Sequence, residues 1–194
     1  MQHSDLRPAL AQAQDWVAGL IDRVRPDQLE RPTPCPEFDV RALIGHLYTG
    51  AGRVRRIGEG SDPMVEPHVV TDLPDDLAAG YRDRIRAARA AWTDDATLTR
   101  TVRVPWGEVP GALALGGYLT EALTHGWDLA TATGQPAEAD PELAERGLVA
   151  ARKAVPEQPR GGPIPFGPPV AAAPGAGPTE RLARWLGRPA RPTE

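Results

Sequence analysis

Residues 116–130 read Gly-Gly-Tyr-Leu-Thr-Glu-Ala-Leu-Thr-His-Gly-Trp-Asp-Leu-Ala, and this stretch decides the fold. At 3.6 residues per turn it and its flanks put Ala114, Gly117, Tyr118, Glu121, His125, Asp128 and Ala132 on one helix face. Leu115, Leu119, Leu123 and Ala130 fall on the other side, with Trp127 at its edge. Glu121 and His125 are four apart, so they lie one turn from each other. The stripe they share is interleaved with Ala, Gly and Tyr and has no Lys or Arg. A solvated face carries long basic side chains among its acids. This one reads as enclosed, and an enclosed carboxylate is costly unless paired or metal-bound. Either a bound metal or a hydrogen-bonded core network satisfies such a stripe. His46, from a facing helix, would complete a two-histidine, one-carboxylate set. That is the donor set of a catalytic zinc site, with a fourth position open for water or a thiol.

Outward from this helix the apolar spacing predicts four more main helices and a short one near the end. Ser4 or Asp5 caps a first helix that stops near Pro26, with Leu6, Leu10, Ala13, Val17, Leu20 and Val24 as its seam. Residues 31–36 contain three prolines and cannot be helical. Asp39 caps a second helix to about Ile57, cored by Val40, Leu43, Ile44, Leu47, Ala51 and Val54. His46 lies at the edge of that stripe, beside Asp39, Gly50 and Arg53. A third helix is expected from about 75 to 92, with Leu77, Tyr81, Ile85, Ala88 and Trp92 inward and the arginines at 82, 84, 86 and 89 solvated. Residues 99–104 alternate as a short strand, followed by a turn-rich Pro105–Gly111. The helix carrying Glu121 occupies about 112–132 and ends near Gly134; a fifth spans about 141–154 with Pro141 at its first position. From Pro156 to Pro178 the chain is largely Pro, Gly and Ala, which predicts an extended segment. Thr179 then caps a short helix ending at Gly187, whose Leu182, Trp185 and Leu186 must dock on the body or on a partner, a homodimer's second copy included. The reading is an all-α bundle over 1–155, with a short β-hairpin insertion before its last bundle helix, and a Pro/Gly-rich tail over 156–194.

The chain has 194 residues and a net charge of −4, and Lys153 is the only lysine among its 22 basic residues. No basic stripe with interleaved aromatics is present, which argues against nucleic-acid binding. No apolar run is long enough to span a bilayer and no signal-peptide core is visible, so a cytoplasmic location away from membranes is expected. Cys35 is the single cysteine, which excludes an intrachain disulfide.

Three segments carry a family resemblance: Thr33-Pro34-Cys35-Pro36, Asp39-Val40-Arg41-Ala42-Leu43-Ile44-Gly45-His46-Leu47, and Glu121 to Ala130. The closing Leu182-Ala183-Arg184-Trp185-Leu186-Gly187-Arg188-Pro189 adds a fourth. The chain resembles the DinB-like metal-binding four-helix bundles, and within them the actinobacterial branch related to the N-terminal domain of mycothiol-dependent maleylpyruvate isomerase. The resemblance implies that His46, Glu121 and His125 are metal ligands and that a thiol such as mycothiol is a cosubstrate. The isomerase carries a second domain after its bundle. Residues 155–194 are too few for one, so the resemblance is not expected to extend to maleylpyruvate as substrate.

An open zinc position can ionise a bound thiol, giving an S-transferase or isomerase acting on a small electrophilic substrate. It can instead lower the pKa of bound water to about 7, giving a hydrolase. A non-catalytic metal- or small-molecule-binding bundle is the third reading. Zinc suits the donors, although nickel, iron and manganese also accept them. Asp128 can orient an imidazole or act as a base, against a structural or solvent-facing acid. Arg53 can hold a substrate carboxylate, against a surface arginine. Tyr118 can donate to an oxyanion, against simple packing. Cys35 is read as structural, Trp127 as core, and His3 and His68 as lacking partners.

Overall fold

The computed structural model describes residues 5–161 and 166–189; Ser4 and His3 lie outside the described residues. Helices α1 (Arg7–Asp22), α2 (Val40–Glu59) and α3 (Leu77–Ala90) are followed by a single turn, α4 (Ala96–Thr99). The antiparallel hairpin β1 (Thr101–Val104) and β2 (Gly107–Pro110) then leads into α5 (Gly111–Thr133), α6 (Pro141–Ala154) and α7 (Pro178–Trp185). Helices α1, α2, α3 and α5 form a four-helix bundle in which α5 and α3 each contact both α1 and α2. Helix α6 packs on α5, and α7 packs on both. This is the DinB-like architecture with its hairpin inserted before the last bundle helix.

The apolar seams explain the packing. Val17, Leu20, Val40, Leu43, Ile44 and Leu129 are fully buried in one cluster; Leu115, Leu119, Leu123, Leu148 and Leu182 are buried in another. Each such side chain contributes about 1.5–3 kcal/mol on burial. Helix α5 is buried on nearly all sides, with only Leu113 exposed along its length. Its polar stripe therefore faces the bundle interior and not solvent.

Asp39, Asp76 and Asp140 accept the amides of Ala42, Ala79 and Leu143 at 2.7, 2.8 and 3.0 Å, each closing the first turn of its helix. Asp5 accepts the Arg7 amide at 2.9 Å, although the helix begins after Leu6. Three expectations need correction. The strand begins at Thr101 because Asp94, accepting the Ala96 amide at 2.9 Å, turns residues 96–99 into a helical turn. Thr179 does not cap the last helix. Pro178 starts that helix one residue earlier, Glu138 takes the Thr179 and Glu180 amides at 3.0 and 3.1 Å, and the Thr179 hydroxyl accepts the Ala139 amide. The arginines of α3 are not one solvated face: Arg89 donates to the Ala11 carbonyl and Asp15 at 2.7 and 2.8 Å, and Arg84 lies 3.6 Å from the carboxylate of Glu66.

The tail docks on its own chain: Leu182 and Ala183 are fully buried against the bundle. Among the described residues no helix is long and apolar enough to cross a membrane.

Candidate metal centre

The proline-rich loop before α2 builds one wall of the site. The Thr33 hydroxyl donates to the Phe38 carbonyl at 2.8 Å and accepts the Cys35 amide at 3.2 Å, while Val40 and Arg41 donate back to Arg31 and Leu29. That folded loop seats Phe38 on His46, with ring centroids 4.8 Å apart and planes at 28°, and edge-on to His125 at 6.1 Å. Prolines at 34 and 36 restrict the backbone of the unfolded chain, so fixing the stacked ring costs less ordering entropy on folding.

His46 of α2 and Glu121 and His125 of α5 converge. One donor atom from each lies within 4.8 Å of the others, and His46 Nε2 is 3.0 Å from Glu121 Oε1. Each imidazole is engaged at its other nitrogen. His46 Nδ1 donates to the His68 carbonyl at 2.9 Å, and His125 Nδ1 donates to Asp128 Oδ2 at 3.1 Å. A carbonyl can only accept, so that bond puts a proton on His46 Nδ1 and turns Nε2 to Glu121, where it shares a proton or, once that proton is displaced, offers a lone pair to a cation; the carboxylate likewise holds the Nδ1 proton of His125. The approach of His68 depends on Gly45, where a Cβ would lie 2.3 Å from the Val70 carbonyl oxygen. Only glycine lets the 68–70 segment cross α2 at that point.

The charges respond to this arrangement. Burial opposes ionised His46, yet the hydrogen bond and charge of Glu121 prevail and raise its pKa above the usual 6.5. Burial likewise opposes ionised Glu121, but His46, His125 and Arg53 hold its carboxyl below the usual value. For His125, burial and the charges of His46 and Arg188 outweigh Asp128 and lower the pKa. Two imidazoles braced from behind at Nδ1 and an ionised carboxylate, with donor atoms within 4.8 Å of one another, fit a divalent cation that displaces the proton shared by His46 and Glu121. Glu121 keeps 23% of its side-chain surface exposed, so a further ligand has access.

Asp128 is fully buried, not a solvent-facing helix-end acid. Besides His125 it holds Arg188, whose Nε lies 2.9 and 3.0 Å from the two carboxylate oxygens and whose Nη2 lies 2.9 Å from Oδ2. Cys35 also approaches His125 and Asp128 within 4.8 Å. Burial pushes its thiol pKa up, and the Asp128 oxygens are already engaged, so this second group is a poor ligand set. Trp127 is buried with the Arg184 guanidinium over its ring at 5.3 Å.

Arg53 is half-buried and not a surface arginine. Its charge acts on His46, Glu121 and Tyr118, and its Nε is buried without a partner among the described residues. The Tyr118 hydroxyl is also buried and unpartnered, and burial pushes its pKa far up. It opens on a small cavity of about 20 Å³ lined also by Gln14, Gly50, Tyr81 and Glu121. Trp106, at the hairpin tip, covers Gly117 and lies tilted against Tyr118 with ring centroids 5.4 Å apart, yet stays 51% exposed. A cleft of about 580 Å³ between α2, α3 and residues 65–67 is larger, but its Arg56 is paired with Glu66 at 2.6 Å and it holds no comparable donor set.

Sequence spacing does not reveal Phe38, Trp106, the His68 carbonyl or Arg188. The available signals were a glycine inside a helix immediately before His46, a lone aromatic in a hairpin turn, and an arginine placed directly after a helix-ending glycine.

Residues 10–130 match the family described as Mycothiol maleylpyruvate isomerase N-terminal domain. Two relatives, the uncharacterized proteins MT0763 and Rv0738 of two Mycobacterium tuberculosis strains, are each 38% identical over 179 residues. The match spans 92% of this chain and 95% of each relative. No solved structure matches the chain.

Proposed function

The chain belongs to the mycothiol maleylpyruvate isomerase N-terminal domain family, and from that premise we propose that it is a metal-dependent enzyme using a low-molecular-weight thiol, such as mycothiol, as S-transferase or isomerase on a small electrophile. The observation that carries this reading is the paired bracing of His46 and His125. Both engage an acceptor through Nδ1; His46 Nε2 lies 3.0 Å from Glu121, and a His125 donor atom lies within 4.8 Å of both. A hydrogen-bonded core network would need no such matched tautomers.

A divalent cation, zinc by preference for these donors, would supply a positive site beside which a thiol ionises near neutral pH. The chain's own groups do the rest. Tyr118 stays protonated at neutral pH and is a hydrogen-bond donor for a developing oxyanion. Arg53 is suited to a substrate carboxylate. Phe38, against both imidazoles, puts apolar surface beside the donor set, which favours exclusion of water from a reacting sulfur. Addition of the thiolate sulfur to the electrophilic carbon of a conjugated alkene forms the C–S bond and moves the alkene's π pair onto the conjugated carbonyl oxygen; uptake of a proton at the neighbouring carbon then gives a conjugate. Where the sulfur leaves again after rotation about the former double bond, the product is an isomer and the thiol is returned. A cytoplasmic setting, where such thiols stay reduced, suits this chemistry.

Cobalt-substituted protein titrated with a mycothiol-type thiol should develop a sulfur-to-metal charge-transfer band in the near ultraviolet, absent in His125→Ala. Cobalt bound in stoichiometric amount with no band at saturating thiol would remove the thiol reading and leave a hydrolase or a binding bundle.

A further inference from the structure

The charged pair between Asp128 and Arg188 joins the centre of α5 to the end of the chain, 60 residues apart in sequence. Its placement follows from local structure. Helix α7 ends at Trp185 with Leu186 as its C-cap, and Gly187 turns back with φ +86°. The Gly187 amide donates to the Arg184 carbonyl and the Arg188 amide to the Ala183 carbonyl, both at 3.0 Å, a glycine-terminated helix end. That reversal aims Arg188 into the bundle instead of along the helix axis. The helix itself is seated independently of the pair, by buried Leu182, Ala183 and Leu186 and by Glu138 at its N-terminus.

Burying a carboxylate and a guanidinium costs several kcal/mol per ion by desolvation, and well-packed apolar groups usually hold a helix as well or better. Anchoring α7 therefore does not account for the pair. Orientation does. The guanidinium grips both Asp128 oxygens, so the carboxylate has one rotamer, and in that rotamer Oδ2 meets His125 Nδ1. It also balances the carboxylate's charge in a site where Asp128 has no solvent exposure.

We propose that Arg188 is a positioning residue of the metal centre, acting through Asp128 to fix His125, and that tail docking and metal affinity are thereby coupled. The proposal rests on the metal reading above. Coupling is reciprocal by thermodynamic necessity: if the docked tail strengthens metal binding, metal binding strengthens docking by the same factor.

The experiment measures Zn²⁺ affinity by competition with a chromogenic chelator for the full chain, Arg188→Ala, Arg188→Lys and Arg181→Ala. Arg181 lies on the same helix and makes an exposed pair with Glu145 at 2.7 Å, so its variant controls for general loosening of α7. Arg188→Ala should weaken zinc binding about 10–100-fold, the usual effect of an outer-shell partner. Arg188→Lys should recover part of this, because it restores the charge without the fork. Arg181→Ala should match wild type. Amide hydrogen exchange gives a second readout, on the wild-type chain alone: α7 amides should exchange more slowly with Zn²⁺ than without it, even where Arg188→Ala folds poorly. Equal affinity in wild type and Arg188→Ala, or α7 exchange indifferent to zinc, overturns the coupling while leaving the metal reading in place. Wild-type protein that binds no zinc or other divalent cation overturns both.

Discussion

His46 and His125 are each held through Nδ1 beside the same carboxylate, but by different means. His46 leans on a backbone carbonyl brought in by a loop crossing, whereas His125 leans on a buried carboxylate locked by an arginine from the chain's far end. A carbonyl cannot be removed by substitution; it can only be moved, and moving it strips no buried ion of its counter-ion. The carboxylate can be deleted outright, and its removal leaves Arg188 buried without its counter-ion. The two arms should therefore fail differently: the His46 arm through backbone geometry and protonation, the His125 arm through charge.

The largest effect is expected where the arms meet. Glu121→Ala removes the only anionic ligand of the set and should reduce zinc affinity well beyond the roughly 10–100-fold that outer partners command. The circular dichroism spectrum should persist, because the leucine seams and not the ion hold the helices. A metal-free chain that is unfolded would make the site structural and undo the catalytic reading.

Next comes the His125 arm. Asp128→Asn keeps the shape but loses the charge and should weaken zinc binding about 10–100-fold. It should also destabilise the fold by about 3–5 kcal/mol, because the Arg188 guanidinium remains buried opposite a neutral amide. Chemical denaturation of the metal-free protein measures the second effect. Full stability with full metal affinity would mean that Asp128 and Arg188 do not brace His125.

Protonation separates the arms further. Zinc requires a deprotonated His46 Nε2, and Glu121 raises the His46 pKa above 6.5 in the metal-free protein once burial has been overcome. Zinc affinity should therefore fall as pH drops through that raised value, by about tenfold per pH unit for the one proton displaced. His125, held below 6.5 chiefly by burial, is already neutral there and adds no second proton until the pH is lower still. Two protons released per zinc ion near neutrality, measured in two buffers of different ionisation enthalpy, would refute this asymmetry.

The two arms were also unequally legible in the sequence. Which residues share a face follows from spacing, so Glu121, His125 and Asp128 fall in one stripe without any structure, and His46 falls at the edge of another. Helix limits were readable to within a few residues because Asp39, Gly134 and Pro141 mark ends chemically. What spacing cannot carry is contact between backbone and side chain or between distant segments. His68 acts through its carbonyl, which every residue has. Arg188 acts across a proline-rich stretch whose path has no periodicity. Phe38 is placed by a loop closed on Thr33, and Arg53 reads as a surface residue until Tyr118 and Glu121 are seen beside it. The one-turn α4 was not expected, because four residues are too few to show a helical period; only its last residue, Thr99, fell in the stretch read as strand.

The subtlest prediction concerns Gly45, which touches neither metal nor substrate. A Cβ there would lie 2.3 Å from the Val70 carbonyl oxygen and 2.8 Å from Val69 Cγ1, distances at which something must move. One of the obstacles is backbone, so the 68–70 segment must lift off α2, straining the bond from the Val70 amide to the Gly45 carbonyl at 3.2 Å. His68, two residues earlier, moves with it and loosens its hold on His46 Nδ1. Stability is a poor reporter of this change. Overpacking costs about 1–3 kcal/mol, but alanine recovers about 1 kcal/mol of helix propensity over glycine, and the two partly cancel. Metal affinity is the better measure, since water can replace the lost carbonyl but cannot fix the tautomer as firmly. Gly45→Ala should therefore weaken zinc binding severalfold, less than Asp128→Asn, with little change in denaturation midpoint. Affinity equal to wild type would show that the His68 carbonyl is a bystander, and that the centre is braced on the His125 side alone.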